Sequence, residues 1–204
     1  MTWFTVALFA HIVGALSLFI SLALQWLSTL RLRRARTLTQ AREWSGLASG
    51  VARLAPATGA LIVGAGAYMA IVAQSWTAPW LDVSLAAMAL MMLLGMGVAG
   101  RRLSAIQRAS AQATTDGATD SATGSISPAL RARLADPTLW VATQLAAAVA
   151  LGIVFLMTTR PADLVPSIAV VLVSLALGAL VGALSLRPRQ AAALAAAPVS
   201  KSVQ

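Results

Sequence analysis

The chain has 204 residues, 59% of them hydrophobic and only 10% charged, with a mean hydropathy of +0.81. Soluble domains carry about 25% charged residues, so a soluble domain is excluded and an all-α, polytopic transmembrane helical bundle is expected. The formal net charge of +9 does not point to nucleic acid, because the basic residues sit between apolar runs; the absence of cysteine excludes disulfides, iron–sulfur clusters, thiolate metal sites and Cys-x-x-Cys-His haem attachment.

The first apolar run, about Trp3 to Leu30, has no basic stretch before it and is too long for a cleavable leader, so it reads as a span that stays in the membrane. At 1.5 Å per residue it reaches roughly 42 Å, more than the ~30 Å hydrocarbon core. It holds the only histidine of the chain, His11, roughly 12 Å from its outer end at helical rise. Seven-residue steps from His11 reach Leu18 and Gln25, and steps from Gly14 reach Ser21 and Ser28. This stripe is predicted to face other helices, because polar groups in hydrocarbon turn inward. The basic cluster Arg31, Arg33, Arg34 and Arg36 follows.

The stretch Thr37 to Gly50 reads either as a short interfacial helix, with Trp44 dipping into the headgroups, or as a solvated loop. The second span covers about Val51 to Ala73, with Pro56 expected in its first turns. Gly59 and Gly66 lie seven apart, and Ala60 and Gly64 form a small-x-x-x-small pair, spacings that permit close helix approach. Tyr68 and Met69 fall near the depth of His11, as does Met88 in the third span, about Leu81 to Gly100. A Tyr68 hydroxyl bonded to His11 would satisfy both groups.

Ala109 to Ser127 is small and polar and reads as a disordered linker. Ser127-Pro128 reads as the cap and first position of a short helix that closes before Pro137. The fourth span covers about Thr138 to Thr158 and the fifth about Leu164 to Leu186. The expected organisation is thus a three-helix unit over 1–108, a linker with a short helix over 109–137, a helical hairpin over 138–187 and a disordered tail over 188–204.

Five spans put fourteen of the fifteen basic residues on one side, among them Arg101, Arg102, Arg187 and Arg189. Only Arg160 falls on the other side. The N-terminus is therefore expected outside and the C-terminus in the cytoplasm of a bacterial inner membrane. Trp3, Trp76 and Trp80 are expected at the outer interface and Trp140 at the inner one.

His11 admits three readings. It is a neutral ring in interhelical packing, a haem or copper(I) ligand paired with the thioether of Met69 or Met88, or a proton relay. Tyr68 would then stand behind the ligand. No buried second acid or base extends a relay, no nucleophile–base constellation is visible, and no glycine-rich loop follows a strand, so nothing points to an enzyme. The preferred reading is a structural or accessory membrane protein without an assigned cofactor, in contact with lipid and with a membrane-protein partner or a second copy. A haem- or metal-binding redox role through His11 is the alternative, and small-solute permeation a further one.

Four segments carry a resemblance: "HIVGA" in the first span, "LAPATGALIVGAGAYM" in the second, the turn "QSWTAPWLDVSL", and "GRRLSAIQ" at the end of the third. Over about Trp3 to Gln107 the chain resembles a family of bacterial integral membrane proteins, domain-of-unknown-function family 2269. More distantly it is similar to the copper-resistance D-type membrane domain and to four-helix membrane haem proteins. The resemblance implies a cytoplasmic-membrane bundle with His11 as a cofactor position. The chain departs from the haem and copper relatives in having no further histidine.

Overall fold

A computed structural model of the chain describes residues 2–115 and 126–186. The tail, with Arg187 and Arg189, and the centre of the expected linker lie outside the described residues. The rest is helical: α1 (Trp3–Leu32), α2 (Leu38–Val72), α3 (Pro79–Met92), a π-helical segment (Leu93–Gly100), α4 (Arg101–Thr115), α5 (Pro128–Leu134), α6 (Pro137–Thr159) and α7 (Leu164–Leu184). Five of the helical stretches are long and apolar enough to cross a membrane.

Local chemistry sets the starts. The Thr2 hydroxyl accepts from the Thr5 N–H and opens α1. At α2 the Thr37 hydroxyl accepts from the Gln40 N–H at 3.3 Å, while the Gln40 amide oxygen reaches back to the Arg36 N–H at 3.0 Å. This is a close variant of the reciprocal Thr-x-x-Gln cap. It starts α2 at Leu38, so Thr37 to Gly50 is neither a loop nor a separate helix but the first turns of a 35-residue rod. Pro56 consequently sits deep inside α2 rather than in its first turns. Ser127 and Pro128 open α5, as their order predicts, and Asp136 with Pro137 opens α6.

The third span also runs on past its expected end. After Met92 the helix widens into the π-helical Leu93–Gly100, and α4 then continues to Thr115, seven residues into the expected linker. Gly95, Gly97 and Gly100 supply the small residues there. A Cβ on Gly100 would meet the carbonyl oxygen of Gly95, five residues back, at 3.4 Å, the closeness a wider turn brings.

Two cores result. One lies within the apolar spans, where Ala87, Met88 and Met91 of α3 pack on Ala146, Val149 and Ala150 of α6, flanked by Leu18 and Leu22 of α1 and Ile62 of α2. The hairpin is thus seated directly on the first three spans, with α6 enclosed and α7 on its outer side. The other core gathers Leu32, Leu38, Ala41, Leu103, Ile106, Leu130 and Leu134, bringing the end of α1, the start of α2, α4, α5 and the start of α6 together. The arginines of those segments therefore crowd one end of the bundle. Around both cores, side chains such as Phe9, Ile20, Leu151 and Val165 stay exposed, as a lipid-facing surface requires.

Two tryptophans pack under arginines. Trp140, at the basic end, is 4% exposed, with the Arg33 guanidinium 4.9 Å from its ring centroid and Trp26 6.2 Å away. Trp44 packs partly buried against the basic-end core, with Arg31 over its ring at 5.6 Å. Both rings face guanidinium groups that the same end of the chain supplies in excess.

Candidate functional site

The polar stripe of α1 does face the bundle. Gly14 and Ser28 are buried, and Leu18, Ser21 and Gln25 line a cavity. At its N-terminal end, His11 Nδ1 lies 2.9 Å from the Ile62 carbonyl oxygen of α2. A carbonyl can only accept, so Nδ1 carries the hydrogen and donates it. In the neutral ring this leaves Nε2 as the acceptor. The ring lies against Gly66, where a Cβ would come within 3.2 Å of His11 Cε1 and 3.3 Å of Nδ1. One turn along, a Cβ on Gly14 would come within 2.8 Å of Ile62 Cγ1. The small residues at positions 14 and 66 are what bring the two backbones close enough for the bond.

The other predicted residues do not gather around this ring as one group. Met88 is buried in the α3–α6 core and lines the cavity below. Tyr68 follows Gly66 by two residues, about 200° around a helix, so it turns away from the His11 face, and it is 39% exposed. The hydrogen bond expected between Tyr68 and His11 is replaced by the one to Ile62. Met69, seven residues after Ile62, returns to the same face of α2 about one turn beyond Gly66. Among the described residues no three His, Cys, Asp or Glu side chains come together as a metal site.

The cavity itself was not foreseen. It measures about 340 Å³ and lies between α1, α2, α3 with its π-helical and α4 continuations, and α6. Its deep part is walled by Leu18, Met88, Met91 and Ala146, and its other part by Gln25, Arg53, Ser104 and Gln107. The heptad step from His11 to Gln25 was its one legible signal; the π-helical wall had none.

The arginines expected to set topology take specific places. Arg31 and Arg33 cover the Trp44 and Trp140 rings. Arg102 pairs with Asp136 at 2.9 Å, and Arg34, Arg36 and Arg101 lie on the same basic end. At the far end Arg160, in the left-handed region at φ 46°, stands over Trp80 at 5.7 Å.

Comparison of the chain with protein-family models, with curated proteins and with solved structures finds no match.

Proposed function

We propose that this chain is a multi-pass protein of the bacterial cytoplasmic membrane, N-terminus outside and C-terminus in the cytoplasm, with a structural or accessory role in which His11 latches α1 to α2. The observation that carries the reading is the Nδ1–H bond of His11 to the Ile62 carbonyl. A polar ring in an apolar span is thereby given a partner within the bundle, and a substrate is not needed to account for it. The orientation rests on the basic end: lysine and arginine favour the cytoplasmic side. A reporter fused after Gln204 is expected to be active only as a cytoplasmic fusion. Activity of a periplasmic reporter there would reverse the orientation.

A second reading has one specific support. The same hydrogen bond fixes the ring through Nδ1 and leaves Nε2 available, the arrangement that orients histidine toward a haem iron or copper. Met69 is the thioether nearest in register. Absorbance and elemental analysis of detergent-purified wild type and His11→Ala separate the two readings. A haem band or stoichiometric copper in wild type alone establishes the redox reading. Colourless, metal-free protein from replete cells leaves the latch.

A further inference from the structure

Polar side chains line the cavity from α1, α2, α4 and α6, and they fall into two classes. The Ser21 hydroxyl donates to Ser17 O and the Thr143 hydroxyl to Leu139 O, both at 2.8 Å, so these are satisfied by their own helices. Gln107 is held by the Ser45 carbonyl at 3.1 Å. The Gln25 amide, the Thr58 hydroxyl and the Arg53 guanidinium make no hydrogen bond or ion pair to any described residue. Thr58 is nevertheless buried and Gln25 is half-buried, while Arg53 is exposed. A polar group in hydrocarbon is costly without a partner, so Gln25 and Thr58, with the exposed Arg53 guanidinium on the same lining, leave hydrogen-bonding capacity for a ligand.

The chemistry of that something follows from the gradient along the walls. The deep part is slim and apolar, built of Leu18, Met88, Met91, Met92 and Ala146, and methionines adapt to an irregular chain. Toward the basic end come Gln25, Arg53 and Gln107. From Ser49 to Gly59 the lining extends roughly 15 Å along α2, half of a ~30 Å hydrocarbon core. The volume lies within the roughly 300–1,000 Å³ of ligand pockets. We propose that this cavity binds a single acyl chain ending in an anionic headgroup, inserted from the leaflet at the basic end, with the anion on Arg53 and Gln25 and the chain between α1, α3 and α6. A free fatty acid and a lysophospholipid share this chemistry.

The test uses the full chain in phosphatidylcholine vesicles and palmitate bearing a mid-chain diazirine as the probe. After illumination the labelled residues are mapped by mass spectrometry. Label is expected on the Met88–Met92 wall, and oleate is expected to compete it away. Arg53→Gln is expected to weaken the competition about tenfold, the scale of a lost charge-assisted hydrogen bond. Gly95→Leu is expected to abolish labelling, since Gly95 lines the cavity and a Cβ there meets nothing within 4 Å, so a larger side chain grows into the space. Gly64→Leu, equally unobstructed but away from the cavity, is expected to label like wild type. Competition by oleate alone assigns a carboxylate ligand, and equal competition by lysophosphatidate widens the site to either anion. Label confined to lipid-facing residues such as Leu93 and Val165, labelling unchanged by Gly95→Leu, or neutral monoolein competing as well as oleate would overturn the proposal.

Discussion

A Cβ on Gly178 of α7 would stand 3.0 Å from the Cα of Leu145 on α6, and 3.1 Å from the carbonyl oxygen of Gln144. Those neighbours are backbone and cannot swing aside. Ser174, Gly178 and Gly182 repeat every four residues along α7, and each meets α6 at Gly152, Leu145 or Val141. Gly178→Ala should therefore force the hairpin apart and cost about 1–3 kcal/mol, as overpacking does. Gly64→Ala, with nothing within 4 Å, should not. Thermal unfolding of the two variants in one detergent decides it, and coincident melting curves would show that the contact is slack.

The His11 latch is testable in the same way. Interhelical hydrogen bonds in membranes contribute about 0.6 kcal/mol on average and up to about 1.7. His11→Ala and His11→Phe should both lower Tm by about 2–4 °C, the second despite keeping the bulk. Gly66→Ala should act in the same direction, because it pushes on the ring from 3.2 Å. A His11→Phe melting curve superimposed on wild type would mean that the ring packs but its bond adds nothing.

Asp136 does two jobs, and they can be separated. Its Oδ1 caps α6 through the Thr138 N–H at 2.8 Å, while its Oδ2 pairs with Arg102 at 2.9 Å. The Arg102 side chain is 54% exposed, so the pair should contribute under 1 kcal/mol and weaken in salt. The cap should contribute about 1 kcal/mol. Asp136→Asn keeps an acceptor and should stay near wild type. Asp136→Ala should melt clearly lower at both low and high salt. Equal loss in the two variants would assign the stability to the charge instead.

The five apolar stretches were legible because hydrocarbon imposes length and composition on any span, and the inward stripe of α1 because seven-residue steps keep one helix face. The start of α2 was also written in the chain, as Thr37 and Gln40, but the polar residues around them resemble a loop to anything that reads hydropathy alone. Trp140 illustrates a different limit. Its burial depends on residues far away in the chain, Arg33 and Trp26 among them, which hydropathy at a span end does not show. The π-helical wall was illegible because Gly95, Gly97 and Gly100 in Leu93–Gly100 read equally well as close-packing residues of an ordinary span. Tyr68 was misassigned by depth alone: equal depth does not put two side chains on facing sides of two helices.

Pro56 sits near the middle of α2, about halfway between Leu38 and Val72. A rod missing one rung bends there at the least cost. On one side of that joint the rod is bolted into the arginine-rich core through Leu38 and Ala41; on the other it is tied to α1 through Ile62. The two halves of α2 are thus anchored to different cores, and the missing rung between them lies beside Ala55 and Thr58 of the cavity wall.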